Sequence, residues 1–312
     1  MADVVAVGPG ELGRADVVAV AREGARVELT AGAYQAMAAS RAHVEALALD
    51  ECPHYGVSTG FGALATRFIA PQQRAVLQQS LVRSHAAGAG PEVEAEVVRA
   101  MALLRLRTLA TGYSGVRPAT AAALADLLNA GITPVVPEYG SLGCSGDLAP
   151  LAAVALALTG EGMVRDEAGA LKPAGEALSV AGLDPVVLAE KEGLALINGT
   201  DGMLGMLVLA TTDLRVLLDS ADVIAAMSVE ALLGTDAVLV PELIALRPHP
   251  GQAVSAARMR AALAGSQIVA SHRDPVADTR VQDAYSLRCA PQVHGAARDT
   301  LTYALHAGRA RR

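Results

Sequence analysis

Cys144, Ser145 and Gly146 form a tripeptide that could build an electrophile from its own backbone. They lie in the segment Gly-Ser-Leu-Gly-Cys-Ser-Gly-Asp-Leu-Ala-Pro at residues 140–150. The amide nitrogen of Gly146 could attack the carbonyl carbon of Cys144, because glycine has no Cβ to obstruct so tight an approach. Loss of one water would close a five-membered imidazolone ring, and loss of a second from Ser145 would leave an exocyclic methylene. Residue 144 contributes only its carbonyl, so it need only be small.

The residues that follow the tripeptide fit two interpretations. A helix is predicted from Leu148 to Leu158, with Asp147 as its N-cap. The free amides and partial positive charge at the start of that helix would favour electron flow into the ring when a nucleophile adds. The alternative is an ordinary turn leading into a helix. The tripeptide alone favours that alternative, because such loops are common.

Composition predicts a mainly α-helical protein. The 312 residues are 52% hydrophobic but only 3% aromatic, and the apolar residues are mostly Ala, Leu and Val, which suits closely packed helices. A net charge of −7 without a polybasic segment argues against nucleic acid and anionic membranes as partners. Three scattered cysteines, and acidic residues where a signal peptide would be positive, indicate the cytoplasm. The histidines at 249, 272 and 294 lack zinc-ligand spacing, so no metal is expected.

Helix-start and helix-stop residues predict the elements that carry these groups. The segment 17–29 alternates loosely and is predicted to be a short strand or hairpin. A turn-rich stretch at 161–187 holds short elements at most, and the best domain boundary is predicted in the region near 161–190. Helices are predicted at 30–49 with Thr30 as N-cap, 71–87, 91–110, 118–130, 148–158, 200–233 as one or two buried helices, from about 252 to 263, and from about 293 onward.

Four segments, in order, resemble the histidine and aromatic amino acid ammonia-lyase family, whose prosthetic group is methylidene-imidazolone (MIO). Residues 55–62 (Tyr-Gly-Val-Ser-Thr-Gly-Phe-Gly) are similar to the mobile tyrosine loop of the family, and residues 140–151 to its MIO signature. Residues 194–200 (Leu-Ala-Leu-Ile-Asn-Gly-Thr) resemble its asparagine segment, and residues 282–289 (Gln-Asp-Ala-Tyr-Ser-Leu-Arg-Cys) its substrate-carboxylate segment.

The resemblance implies the fold and its division. It implies an aspartase/fumarase-like helical bundle with an N-terminal MIO domain. Residues 1–190 would form the MIO-loop domain and residues 191–312 the first part of the central bundle. Members of the family work as homotetramers whose sites combine residues from three subunits.

The resemblance also implies how the MIO forms. Ser145, flanked by Cys144 and Gly146, would become the methylidene carbon. Asp147, together with Gly143, would hold the strained loop for cyclisation. No metal and no external coenzyme would be needed.

Two tyrosines receive catalytic roles from the resemblance. Tyr55 would be the base that removes the β-proton of the substrate. Tyr285 would assist with its hydroxyl near the MIO. Taken alone, Tyr55 would be a tyrosine packed in a glycine-rich loop.

Three further residues would bind the substrate. Arg288 would grip the carboxylate of the amino acid in bidentate fashion, a geometry that lysine cannot copy. Asn198 and Gln282 would supply amide donors and acceptors around the ring and the substrate. Without the resemblance, Arg288 would be taken for a surface ion pair and the amides for buried polar pairs.

Substrate choice is assigned to Ser84 and His85. An imidazole substrate needs a hydrogen-bonding partner, and His85 can donate or accept. Phenylalanine-specific members tend to carry an apolar pair here and tyrosine-specific ones often His-Leu, so Ser-His resembles the histidine-specific branch. The implied reaction is elimination of ammonia from L-histidine to give trans-urocanate, with either the amine or the imidazole adding to the methylidene.

The chain departs from the family pattern in four places. It stops at His-Ala-Gly-Arg-Ala-Arg-Arg, where members of the family continue, so the resemblance implies C-terminal truncation and the loss of an aromatic residue and a glutamate of the site. Pro137 and Ala153 replace the usual histidines, and His294 replaces a small or apolar residue. Alternatives are therefore a catalytically weak or inert remnant that serves as a scaffold, and a tyrosine or phenylalanine ammonia-lyase or aminomutase.

Overall fold

A computed structural model of the chain describes residues 4–143, 146–274, 276, 278 and 280–307. Cys144 and Ser145 lie outside the described residues. The chain forms two compact units, Met1–Val208 and Leu209–Arg312. Their boundary falls at 208/209, within a long helix, whereas the sequence prediction placed a domain boundary at 190/191.

The first unit is helical, with short strands at its edges. Its helices are α1 Arg14–Arg22, α2 Ala31–Leu49, α3 Pro71–His85, α4 Ala95–Ala110, α5 Pro118–Asn129, α6 Leu148–Leu158, α7 Ala174–Val180, α8 Glu192–Ile197 and the start of α9 Asp201–Ala231. Its strands are β1 Val4–Val7, β2 Arg26–Leu29, β3 Ala89–Glu92, β4 Thr133–Pro134, β5 Pro137–Tyr139, β6 Met163–Arg165 and β7 Leu171–Pro173. The parallel pair β1–β2, the antiparallel pair β3–β5 and the antiparallel sheet β4–β6–β7 are all small.

Helix α4 forms the centre of the first unit. Met101, Leu103, Leu106 and Leu109 are at most 2% exposed, and α4 packs against α1, α2, α5 and α6. Small alanines on these helices allow the close approach that the composition predicted. This core supports the loops at the ends of α3, α8 and the segment before α6.

The second unit continues from α9 into a smaller helical cluster. Its further helices are α10 Pro241–Ala245, α11 Pro250–Ala262, α12 Gln267–Ser271, α13 Tyr285–Arg288 and α14 Ala290–Ala307. Gly251 and Gly295 bring α11 and α14 close together, since a Cβ on Gly295 would lie 2.5 Å from the Cα of Gln252. His294 of α14 hydrogen-bonds through Nδ1 to the buried Oδ1 of Asp222 at 2.8 Å.

Several predicted elements are confirmed and others need correction. Thr30 caps α2 by accepting from the amide of Ala33 at 3.2 Å. The strand prediction for 17–29 is wrong over its first half, because Val17, Val20 and Ala21 share the buried face of α1 at helical spacing. The helix predicted from 91 begins at Ala95 instead, since residues 89–92 pair as β3 with β5.

Among the residues that the structure describes, one stretch has the length and apolarity of a membrane span. It covers Glu192–Ala231, with a mean hydropathy of 1.4 in its most apolar window. Half of that window is buried inside the protein, and the core helix of a globular protein meets the same test.

A buried carboxylate, Glu192, joins α8 to α5. It is 0% exposed and accepts from Arg117 Nη2 at 2.6 Å, from the hydroxyl of Thr120 at 2.7 Å and from the backbone amide of Ala189 at 2.8 Å. Burial disfavours its charged form, but the hydrogen bonds from Arg117 and its neighbours outweigh burial and hold the pKa of Glu192 below its usual value. The charged form is therefore the stable one in the folded protein.

We expect Glu192→Gln to lower the free energy of unfolding by about 3 kcal/mol at neutral pH, because it leaves Arg117 without its buried partner. The control Glu96→Gln removes a half-exposed partner of Arg22 and should cost about 0–1 kcal/mol. Since the pKa of Glu192 is lowered on folding, its stabilisation is present above the unfolded pKa and is lost as pH falls. Urea unfolding at about pH 7 and about pH 4 should show the gap between wild type and Glu192→Gln narrowing in acid. Equal losses for the two variants would contradict this.

Candidate active site

Asp147 holds the loop that precedes α6. It is 1% exposed; its Oδ1 accepts from the hydroxyl of Ser141 at 2.7 Å and its Oδ2 from the amide of Met203 at 2.9 Å. Met203 lies in the first turn of α9, so this carboxylate accepts from one of the backbone amides that have no partner within that helix. The prediction that Asp147 occupies the N-cap position of α6 is confirmed, but its side chain makes no capping bond to α6. Its φ of −82° and ψ of 54° depart from the extended geometry usual at an N-cap.

Gly146 lies directly against the backbone of Gly199. Its φ is +104°, a conformation that favours glycine. A Cβ on Gly146 would lie 2.5 Å from the oxygen and 2.9 Å from the nitrogen of Gly199. The amide of Asp147 donates to the same Gly199 oxygen, and the amide of Gly146 donates to Gly143 at 3.3 Å. The structure therefore brings Gly143, Gly146 and Asp147 together with the segment that follows α8.

Asn198 is exposed at the C-terminal end of α8. Its carbonyl accepts from Nη1 of Arg105 at 3.1 Å, and the same nitrogen donates to the carbonyl of Ala195 at 3.0 Å. Arg105 also forms a buried ion pair with Asp201, the first residue of α9. The side chain of Asn198 is thus presented from a fixed backbone.

The first turns of two helices meet at this loop. Helix α6 starts at Leu148, directly after the loop, and α9 starts at Asp201, directly after Gly199 and Thr200. The positive ends of both helix dipoles therefore lie beside Gly146 and Asp147. Such a setting stabilises negative charge that develops on the loop.

Tyr55 lies in a tight glycine-rich turn. It is 54% exposed, its hydroxyl oxygen accepts from the amide of Gly62 at 3.2 Å, and its ring meets Phe61 edge-on with centroids 6.0 Å apart. The carbonyl of His54 accepts from the amides of the next turn, at Val57, Ser58 and Thr59. The local backbone is thus fixed while the phenol stays accessible.

Gln78, which the sequence analysis did not identify, fastens the Tyr55 turn to α8. It is 1% exposed; its Nε2 donates to the carbonyl of Gly56 at 3.5 Å and its Oε1 accepts from the amide of Gly193 at 2.9 Å. A Cβ on Gly56 would also lie 3.1 Å from Leu194 Cδ2. The Tyr55 turn and the Asn198 segment therefore share α8 as their support.

Ser84 and His85 end α3, and their hydrogen bonds stay within its last turn. The Ser84 hydroxyl donates to the carbonyl of Leu81 at 2.8 Å, and Nδ1 of His85 lies 2.9 Å from the same carbonyl oxygen. Nδ1 also lies 3.1 Å from the Ser84 oxygen. Because a carbonyl can only accept, a hydrogen bond to Leu81 requires the tautomer in which Nδ1 carries the proton. The Nε2 of a neutral His85 is then left as an acceptor.

In the second unit the structure brings Gln282, Tyr285 and Arg288 together. Nη1 of Arg288 donates to Oε1 of Gln282 at 2.7 Å, and the guanidinium carbon lies 4.8 Å from the ring centroid of Tyr285. Tyr285 is 69% exposed. Among the described residues, Nε of Arg288 is buried without a hydrogen-bond partner. A guanidinium that is stacked and partly desolvated in this way is suited to binding a carboxylate.

Sequence reasoning missed Ser141, Gln78, Arg105 and Asp201. The only sequence signal for Arg105 is a charge inside the apolar run Ala-Leu-Leu-Arg-Leu, and buried charges are rare unless paired. Its partner Asp201 is far away in sequence and carries no signal of its own. Serine and glutamine are common on helices and in turns, so Ser141 and Gln78 could not have been singled out.

Known proteins resemble this chain over nearly its full length. The model of the family described as "Aromatic amino acid lyase" matches residues 12–307. The histidine ammonia-lyase of Streptomyces griseus is 63% identical over 306 residues, which are 98% of this chain and 59% of that protein. The probable histidine ammonia-lyase of Halobacterium salinarum is 51% identical over 290 residues, 93% of this chain and 54% of that protein.

Solved structures of related enzymes have the same fold as this chain. The tyrosine aminomutase of Streptomyces globisporus superposes with a TM-score of 0.89 at 39% identity, covering 98% of this chain and 60% of that one. The histidine ammonia-lyase of Trypanosoma cruzi gives 0.83 at 36% identity, covering 96% and 55%. The chain therefore spans somewhat more than half the length of these relatives.

Gly146→Ala should lower the free energy of unfolding by roughly 2–4 kcal/mol, combining left-handed strain with a clash against Gly199. Gly169→Ala is the matched control, because Gly169 also has positive φ (+81°) but would place its Cβ in open space. That control should cost only about 1–2 kcal/mol. Chemical denaturation of the two variants measures the difference. If both lose the same stability, the close contact between Gly146 and Gly199 is wrong.

Proposed function

We propose that this chain, which belongs to the aromatic amino acid lyase family, carries the carbon–nitrogen lyase activity of a histidine ammonia-lyase. The reaction is elimination of ammonia from L-histidine to give trans-urocanate. The observation that carries the proposal is the Asp147 clamp, in which this buried carboxylate joins Ser141 to Met203, in a chain 63% identical to a histidine ammonia-lyase. Beside the clamp, the contact of Gly146 with Gly199 leaves no room for a side chain, which suits a tripeptide that must close into a ring.

We assign MIO, formed from Cys144, Ser145 and Gly146, as the prosthetic group. The described neighbours fit it. Gly146 has no room for a side chain, and its amide already points back across the turn to Gly143. Once formed, MIO supplies an electrophilic methylidene carbon that converts a poor leaving group into a good one or acidifies the β-hydrogens. The N-termini of α6 and α9 favour the negative charge that develops beside it.

Tyr55 is the proposed base for the β-proton. Tyr55 is 54% exposed, so a substrate can reach its side chain, and its hydroxyl oxygen is positioned by the amide of Gly62 that donates to it. Gln78 keeps this turn on α8, beside the Asn198 segment. Tyr55 thus has both an accessible side chain and a fixed backbone.

Arg288 is the proposed carboxylate ligand. Its fork is held by Gln282 and stacked on Tyr285, so little side-chain entropy remains to be lost when a carboxylate replaces the Gln282 contact. Tyr285 and Gln282 then line the bound amino acid. This assigns a substrate-carboxylate site to the second unit.

His85 is the proposed imidazole ligand, with Ser84 beside it. Because Nδ1 of His85 is bonded to Leu81, Nε2 of the neutral ring accepts from an N–H of the substrate imidazole. A phenyl ring offers no such donor. This is the residue-level support for histidine as the substrate.

We further propose that the protein works as a cytoplasmic homotetramer. Apolar side chains along α9 support association, since Val216, Leu217, Ile224 and Met227 are each more than 60% exposed in the single chain. An exposed apolar stripe of this kind is typical of a helix that packs against another subunit.

A second candidate is a tyrosine aminomutase, favoured by the TM-score of 0.89 to the enzyme of Streptomyces globisporus. Histidine remains the first choice because identity to the histidine ammonia-lyase of Streptomyces griseus is 63% against 39%. A third outcome is a chain that folds without turnover, as a scaffold. Ammonia release from L-histidine, L-tyrosine and L-phenylalanine detects a lyase, and formation of the β-amino isomer of tyrosine without ammonia release detects an aminomutase, so the two assays together separate all three.

We expect ammonia release to be fastest from L-histidine, and His85→Leu to lower kcat/KM for histidine by about 10–100-fold through loss of one buried hydrogen bond. His43→Leu is the control, since His43 is exposed on α2 and should leave turnover unchanged. Product formation followed in the near ultraviolet measures both. Conversion of L-tyrosine to its β-amino isomer without ammonia release would favour the aminomutase, and ammonia release from tyrosine alone would favour a tyrosine ammonia-lyase. No release from any of the three would refute the lyase proposal, and an unchanged rate in His85→Leu would remove His85 from substrate recognition.

A further inference from the structure

A buried arginine lies behind the segment against which the loop is pressed. The side chain of Arg105, on α4, is 3% exposed. Its Nη1 donates to the carbonyls of Ala195 and Asn198, and its Nη2 pairs with Asp201. One guanidinium therefore joins the last turn of α8 to the first residue of α9, across the three residues 198–200.

Gly199 is enclosed between this arginine and the loop. On one side, a Cβ on Gly199 would lie 2.8 Å from the guanidinium carbon of Arg105 and 2.5 Å from Oδ2 of Asp201. On the other side, the Gly199 oxygen accepts from the amide of Asp147 and limits the space at Gly146. A movement of Gly146 toward Gly199 would therefore be resisted by the ion pair of Arg105 and Asp201 behind it.

Ring closure needs such a support. A bond must form between the amide nitrogen of Gly146 and the carbonyl carbon of Cys144. One water then leaves with that carbonyl oxygen and the amide hydrogens of Gly146 and Ser145. A second leaves with the Ser145 hydroxyl and its Cα hydrogen. Holding the two reacting atoms close together lowers the activation barrier of such a reaction substantially. If Gly146 could move toward α8, the two atoms would separate and this effect would be lost.

We propose that Arg105 is a positioning residue for ring closure at residues 144–146, an inference that rests on the proposed function. Its planar fork reaches two carbonyls and a carboxylate at once, which the single ammonium of lysine cannot do in the same plane. Nε of Arg105 is buried without a hydrogen-bond partner among the described residues. The contacts of this arginine therefore come from its two terminal nitrogens, Nη1 and Nη2.

The test compares Arg105→Lys with Arg99→Lys. Arg99 is the matched control because it lies on the same helix and donates to backbone carbonyls, those of Val20 and Leu128, without touching the loop. Each variant is purified as the full 312-residue chain. The mass of the peptide spanning residues 140–150 gives the fraction lighter by two waters, and thermal unfolding gives the stability.

We expect Arg105→Lys to lower the cyclised fraction about tenfold, while Arg99→Lys keeps the wild-type fraction at a comparable loss of stability. Asp201→Asn, which keeps the shape of the pair but not its charge, should lower the fraction less than Arg105→Lys and serves if that variant does not fold. Cyclised fractions equal to Arg99→Lys in both variants would overturn the role of Arg105. A wild-type peptide of unmodified mass would overturn the proposed function, and this inference with it.

Discussion

The candidate site depends on one buried carboxylate. Asp147 accepts from Ser141 and from the first turn of α9, while its own amide donates to Gly199. A charge this deeply buried is stable only when its hydrogen bonds are complete. The carboxylate therefore holds Ser141 of the loop to the first turn of α9, because separating the two would leave it unsatisfied, and α6 follows Asp147 directly in the chain.

The supporting residues act in successive layers behind that carboxylate. Gly199 contacts the loop, Arg105 and Asp201 lie behind Gly199, and the apolar core around α4 lies behind Arg105. Gln78 attaches the Tyr55 turn to α8 by a separate route. Loops thus present the reactive groups, while buried polar contacts on helices fix where those loops can go.

The sequence could predict the elements better than the contacts between them. Proline, glycine and N-cap signals located α2, α5 and α6, because those signals act over a few residues. The residues of α1 were mistaken for a strand, since a run of valine and alanine fits both periods and only packing decides. Asp147 was placed at the start of α6, but its carboxylate accepts from Met203 of α9, 56 residues further along the chain. Arg105 and Asp201 could not be found, since their pairing exists only in the folded chain.

A crystal structure of the chain at atomic resolution tests the central claim most directly. The predicted result is continuous density joining the amide nitrogen of Gly146 to the carbonyl carbon of Cys144, with no hydroxyl on Ser145 and with Asp147 bonded to Ser141 and Met203. An open peptide at 144–146 that carries an ordinary serine hydroxyl, behind an intact Asp147 clamp, would contradict it. The clamp would then be a structural feature of this fold without the chemistry assigned to it.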